Sequence, residues 1–146
     1  MEKATVDKTY VPKADIEKKW VLLDAKDVTV GRLATQVSAI LLGKNKPTYM
    51  PGVVTGDYVI VINAKHIKAS EKRLESEMYH KHSGYPGGLK SINLRHLLDK
   101  NPEKVIKSAV WGMLPHNKWG RKLLGNLKVY GEAEHPHTMQ NPQPVK

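Results

Sequence analysis

Two histidine pairs, His80-x-His82 and His135-x-His137, are the residues whose spacing first suggests chemistry. On an extended segment such a pair turns both imidazoles to one face, and four rings could hold zinc. That spacing does not fix a tetrahedral site, and with no cysteine in the chain thiolate zinc sites and disulfides are excluded. Imidazole also hydrogen-bonds phosphate and stacks on bases, so contact with RNA explains the same residues without a metal. The loop Gly84-Tyr85-Pro86-Gly87-Gly88 is rich in glycine but lacks the G-K-[ST] of a phosphate loop and does not fit G-x-G-x-x-G. Its glycines suit close approach of backbone to a sugar-phosphate chain, or a plain tight turn. Covalent catalysis has little to build on, because Ser70, Ser76, Ser83, Ser91 and Ser108 sit in no nucleophile-elbow motif. Asp57 precedes a strand without a second carboxylate or histidine in a recognisable motif, so it is expected to cap a turn or pair with a nearby base. A nucleotide- or RNA-processing enzyme stays open as the alternative reading on Asp57 and the glycine loop, and no cofactor is expected.

Charge points more firmly. The 146 residues carry a net charge of +10, and three long windows contain no acid at all. Val28 to Gly56 holds Arg32, Lys44 and Lys46; Met78 to Leu98 holds Lys81, Lys90 and Arg95 with three histidines. Lys104 to Gly131 holds Lys104, Lys107, Lys118, Arg121, Lys122 and Lys128. A solvated surface normally mixes both signs, whereas long stretches of one sign suit a polyanion whose counterions are released on binding. An anionic membrane would instead call for a basic amphipathic helix faced with large apolar groups. The chain has no Phe, and its longest apolar runs, such as Ala39 to Leu42 and Tyr58 to Ile62, are far too short to span a bilayer. The opening residues have no signal-peptide pattern, so a soluble, cytoplasmic nucleic-acid binder is expected. Tyr49, Tyr85 and Trp119, in basic loops, are the candidates for stacking on bases. Trp20, Tyr58 and Tyr130 lie on or beside strands and are read as core.

These groups need a scaffold, and hydrophobic periodicity supplies one. Val21 to Ala25 is a short apolar run consistent with a buried strand, and Asp57 to Ala64 is β-branched almost throughout, as a strand of a parallel sheet should be. Between them Leu33, Val37, Ile40 and Leu41 recur at helical spacing, with Thr29 placed to cap and Gly43 placed to stop the helix. Glu77 to His82 is a weaker strand, and Ile92 to Leu98 reads as a short helix. Asn101-Pro102-Glu103 opens another helix, with proline at the first helical position and an acid at the positive helix end, running to about Gly112. Lys118 to Leu124 can form a further short helix before the strand Leu127 to Tyr130. Strands separated by helices imply an α/β sandwich with a short parallel sheet. One domain over residues 19–131 is expected, with an extended N-terminal arm over 1–18 and an extended C-terminal tail over 132–146.

Several segments together resemble the L13 (uL13) family of bacterial large-subunit ribosomal proteins. In order they are DAKDVTVGRLAT, GKNKPTYMPGVVTGDYVIVINA, HSGYPGGLK, NPEKVIKSAVWGMLPHNKWGRKLLGNLKVYGEAEHPH and QNPQP, covering nearly all of the chain from Trp20. Trp119, where the family often has an aliphatic residue, and Pro86 in the glycine loop are local departures. The resemblance implies a three-layer α/β/α sandwich around a four-stranded parallel sheet. It also implies a non-catalytic protein that binds 23S rRNA early in assembly of the large subunit, beside neighbouring ribosomal proteins and with no small-molecule substrate. Carried over by position, the implied rRNA contacts are Arg32, Lys44, Lys46, Tyr49, Lys81, His82, Gly87, Gly88, Lys90, Lys118, Arg121, Lys122, Lys128, His135 and His137.

Overall fold

Alternation on the central strands decides which way the sheet faces. The computed structural model describes residues 16–145, so nearly all of the expected N-terminal arm lies outside the described residues. β1 (Trp20–Asp24) and β2 (Tyr58–Ile62) pair in parallel register from Trp20 opposite Tyr58 to Asp24 opposite Ile62. β2 also pairs in parallel with a strand at Leu127–Val129, and β1 with a two-residue strand at Gln143–Pro144. Val21, Leu23, Val59, Val61, Leu127 and Val129 therefore share one face, and all are buried.

That face is covered by helices. α1 (Val30–Leu42) packs Leu33, Val37 and Leu41 onto it and ends at Gly43, whose N–H returns to the Ala39 and Ile40 carbonyls. Thr29 occupies the N-cap position, but its side chain makes no capping bond. The helix at Pro102–Met113 adds Ile106 and Val110, and the one at Lys118–Gly125 adds Leu123, to the same core. Each such buried aliphatic side chain contributes roughly 1.5–3 kcal/mol, so the strand ends that carry the basic loops are firmly held.

Between β2 and Pro102 the chain builds a smaller unit. It consists of α2 (Glu71–Ser76), β3 (Met78–His82), β4 (Leu89–Asn93) and α3 (Leu94–Lys100). With these introduced, the helices Pro102–Met113 and Lys118–Gly125 are α4 and α5, and the strands Leu127–Val129 and Gln143–Pro144 are β5 and β6. The parallel sheet has the order β5-β2-β1-β6, while β3 and β4 form a separate antiparallel hairpin. A second cluster of Leu94, Leu97 and Val105, with Tyr79 and Ile92 packed against it, ties the base of the hairpin to α3 and α4.

The α/β architecture and the four-stranded parallel sheet are those expected, and three local assignments change. The strand expected at Glu77 to His82 forms, but in the hairpin rather than beside the parallel strands. The helix expected over Ile92 to Leu98 begins only at Leu94, because Leu89 to Asn93 is a strand and Asn93 is the helix cap, accepting the His96 N–H at 3.0 Å. The tail supplies the fourth strand, with Val145 N–H bonded to the Leu22 carbonyl. Pro144 donates no hydrogen bond and sits, as proline must, on an edge.

The face of the sheet opposite α1, α4 and α5 is finished by aromatics. Trp20 stacks on Tyr58 with centroids 4.5 Å apart, and His137 stacks on Trp20 at 5.2 Å. The tail thus packs across the sheet as well as joining its edge.

Candidate nucleic-acid interface

Most of the candidate contacts project from three places on this frame: the hairpin, the amino ends of the parallel strands, and the first turn of α1. The hairpin is the simplest. Lys81 lies directly opposite Lys90 across the two strands, both exposed. Side chains so paired stand about 5 Å apart at Cβ, where like charges repel and destabilise the sheet unless an anion is near. No acid occurs from Met78 to Leu98 to relieve them. Alternation puts His80 and His82 on the other face of β3. His82 Nδ1 accepts the Gly84 N–H at 2.9 Å, which leaves Nε2 as the ring's free donor. His80 Nδ1 lies 2.8 Å from Ser91 Oγ.

The glycine loop closes the hairpin. Gly87 has φ +69°, a conformation that other residues rarely adopt, and space around it is open. A side chain at Gly88 would run into the Ser83 hydroxyl and lie 2.8 Å from the Tyr85 carbonyl. The first glycine sets the turn and the second keeps it tight, while Tyr85 stands 77% exposed at the tip.

At the amino ends of the parallel strands the basic groups are divided by depth. Lys46 turns inward. Its ammonium lies 2.5 Å from Asp57 Oδ1 and donates to the Glu17 and Thr55 carbonyls at 2.8 and 3.1 Å. Its three protons are thereby used inside the fold. The buried Asp57 carboxylate also accepts the Lys19 N–H at 2.8 Å. The nearby base expected for Asp57 is thus Lys46, and the carboxylate that suggested catalysis is a structural tie between β1, β2 and the loop after α1. Lys44 and Tyr49 on that loop are exposed. Lys118 and Lys122, one turn apart on α5, rim a cleft with Lys18 and Trp119. Asn117 positions this helix by accepting the Gly120 N–H at 2.8 Å. Arg121 lies along a shallower groove with Lys107 and Trp111. Trp119 is half-buried against the main core rather than standing free in a loop.

Three further groups complete the placement. Arg32, in the first turn of α1, lines a hollow with Lys68 and Arg73. Sequence reasoning singled out neither of these partners, since Lys68 lies in a short connection and Arg73 in an unexpected helix, paired to Glu77 at 2.9 Å. Lys128 is exposed on β5 between the buried Leu127 and Val129. The tail histidines are held differently from those of the hairpin. His137 Nε2 lies 2.8 Å from the Tyr130 hydroxyl. Burial, with the charge of Glu103 adding to it, raises the Tyr130 pKa, so the phenol keeps its proton and can donate to that nitrogen. His135 is half-buried, and its Nδ1 meets no partner among the described residues. No three His, Asp or Glu side chains converge on a metal-sized site among the described residues.

Comparison with known proteins bears on what such a surface meets. The ribosomal protein L13 family model matches residues 18–136. The chain belongs to the ribosomal protein L13 family. That is a family of structural ribosomal proteins and not of enzymes, which removes the processing-enzyme alternative. Proteins named large ribosomal subunit protein uL13 are similar over almost their full length. The one from Chlorobium phaeobacteroides (strain BS1) is 51% identical over 100% of this chain and 98% of its own. The one from Syntrophomonas wolfei is 52% identical over 93% of this chain and 95% of its own. The one from Thermotoga petrophila is 50% identical over 94% and 93%. No helix among the described residues is long and apolar enough to cross a membrane.

Proposed function

We propose that this chain is a structural constituent of the large ribosomal subunit in the cytoplasm, binding 23S rRNA and joining the particle early in assembly. The observation that carries the reading is membership of a family whose full-length relatives bear the name of a large-subunit protein. The hairpin supports the RNA part, because Lys81 and Lys90 face each other in a hairpin that contains no carboxylate and gain most from a phosphate between them. Of the contacts implied by position, Lys44, Tyr49, Lys81, His82, Lys90, Lys118, Arg121, Lys122 and Lys128 are exposed and meet the RNA, with Arg32 on the first turn of α1. Gly87 and Gly88 shape the loop that approaches it. Lys46, His135 and His137 act through the fold, holding the strand ends and the tail that present the others.

The test is binding to 23S rRNA across a salt series. Log affinity should fall linearly with log salt, by about 0.7 to 0.9 per neutralised phosphate. Replacing Arg121 and Lys122 together by Ala should weaken binding and leave the melting curve unchanged. Salt-insensitive binding, or absence of the protein from purified large subunits, would sink the reading. Its absence from the smallest precursor particles would remove the early-assembly part alone.

A further inference from the structure

The cleft at the amino ends of the parallel strands has a composition that simple phosphate contact does not require. It encloses about 520 Å³, inside the range of roughly 300–1,000 Å³ typical of pockets for small ligands. Val53, Val54 and Trp119 give it an apolar wall, and among the described residues lining it Lys18, Lys118 and Lys122 are the ionisable ones and none is an acid. Lysines that only track a backbone need no such wall. Trp119 is fixed by packing against the main core, so it offers a preset surface rather than a mobile ring. Its buried indole N–H meets no acceptor among the described residues. The Lys18 ammonium lies over the Tyr58 ring, 5.5 Å from its centroid.

We propose that this cleft receives one nucleotide turned out of the bound rRNA, with its base against the wall at Trp119 and its phosphate among Lys18, Lys118 and Lys122. The proposal rests on the rRNA-binding reading above and adds the position of a single unstacked base. Planarity, charge and size together favour this occupant. A nucleobase presents a flat apolar face of the kind proteins meet with aromatic side chains, and its phosphate matches a rim of one sign.

Photocrosslinking of the complete protein bound to 23S rRNA, read by mass spectrometry, tests this directly. A nucleotide adduct on Trp119 or on the peptide containing Val53 and Val54 is the expected result. In parallel, the indole N–H signals of the labelled protein are followed by NMR during titration with AMP, CMP, GMP and UMP. The Trp119 signal should move with at least one nucleotide and stay in place with inorganic phosphate alone. Trp119→Ala should weaken rRNA binding about tenfold without changing the salt slope, as loss of one stacked base would. Trp119→Phe, which keeps a flat ring, should restore most of the affinity. Because Trp119 packs on the core, the crosslink and the titration stand on the unaltered protein even if the alanine variant fails to fold.

Normal, salt-dependent rRNA binding with no adduct at the cleft and an unmoved indole signal would overturn the proposal and leave the rRNA-binding reading intact. Loss of rRNA binding altogether would overturn both. An indole signal that moves when residues 1–15 are deleted, and not when nucleotide is added, would assign the cleft to the chain's own leading segment and overturn the proposal as well.

Discussion

Lys46 and the Lys81–Lys90 pair carry the same ammonium group in opposite settings. Lys46 is four-fifths buried and its charge is answered by Asp57 and two carbonyls, so it serves the fold. Lys81 and Lys90 are exposed, face each other and are answered by nothing in the hairpin. A cation whose partner lies within the protein stabilises the folded chain. A cation set against another cation stores repulsion that a polyanion removes. Basic composition alone does not separate these cases; the partner does.

The sharpest way to break the distinction is to remove the partner. Asp57→Ala leaves a largely buried ammonium without its counter-charge and the Lys19 amide without its acceptor. Loss of one member of a buried pair costs about 3 kcal/mol, which for a chain of this size lowers the melting temperature by about 10 °C. Lys46→Met should lose a comparable amount while the salt slope of rRNA binding stays unchanged. A slope that fell by nearly one with Lys46→Met would show that this ammonium also neutralises a phosphate, and the division drawn here would collapse.

The converse experiment is at the hairpin. Lys81→Ala with Lys90→Ala should lower the salt slope by about 1.4 to 1.8, two phosphates' worth. Stability should hold or rise by a few tenths of a kcal/mol, because a like-charge cross-strand pair has been removed. A melting temperature reduced by several degrees would mean that the lysine stems pack in a way their exposure does not suggest.

How much of this division was legible beforehand follows from how local each signal is. β2 was readable because five consecutive β-branched and aromatic residues leave little else to form, and α4 because Asn101-Pro102-Glu103 announces a helix start. α2 was missed because it buries no residue and so imposes no period on its sequence. β4 was missed because Lys90, Ser91 and Asn93 are polar and its strand character comes from pairing with β3. β6 is two residues long and exists only through contact with β1. Among the site residues, exposure and charge were visible for Lys81, Lys90, Lys118 and Lys122. The inward turn of Lys46 was not, since it depends on the backbone at Glu17 and on Asp57 meeting at one point. The setting of His137 was likewise hidden, because Trp20 comes from the other end of the chain.

A smaller effect tests whether the hairpin is mechanically separate from the frame. Gly88→Ala forces a methyl group into Ser83 and the Tyr85 carbonyl, so the turn must open. Only the tip is involved, and the base is held by Tyr79 and Ile92 on the second core. rRNA affinity should fall a few-fold, while global stability in urea changes by less than about 0.5 kcal/mol. A large global loss would show that the loop belongs to the cooperative core.

Mild acid divides the molecule once more, and with the least force. Burial pushes the Asp24 carboxyl up, but the hydrogen bonds from Asn63 and the Lys26 amide, with the charges of Lys26 and His66, bring it below its ordinary 3.8. Glu132 is held below its ordinary 4.5 by the hydrogen bond and charge of Lys65, 2.7 Å away. Carboxylates lowered in the folded state contribute stability above their ordinary pKa, and it is lost as pH falls through the lowered value. Both lie at the carboxyl ends of the parallel strands, where the Asn63, Ala64 and Lys65 amides bond to the carbonyls of residues 130 to 132. Protection of these amides, corrected for intrinsic exchange, should therefore fall as pH drops from 4.5 past 3.8. The Ser83 amide, bonded to the Gly88 carbonyl in a hairpin with no carboxylate, should keep its protection over the same window. Equal loss at both places would mean that the hairpin leans on the acid-sensitive end of the sheet, and that its cations are not held independently of the frame.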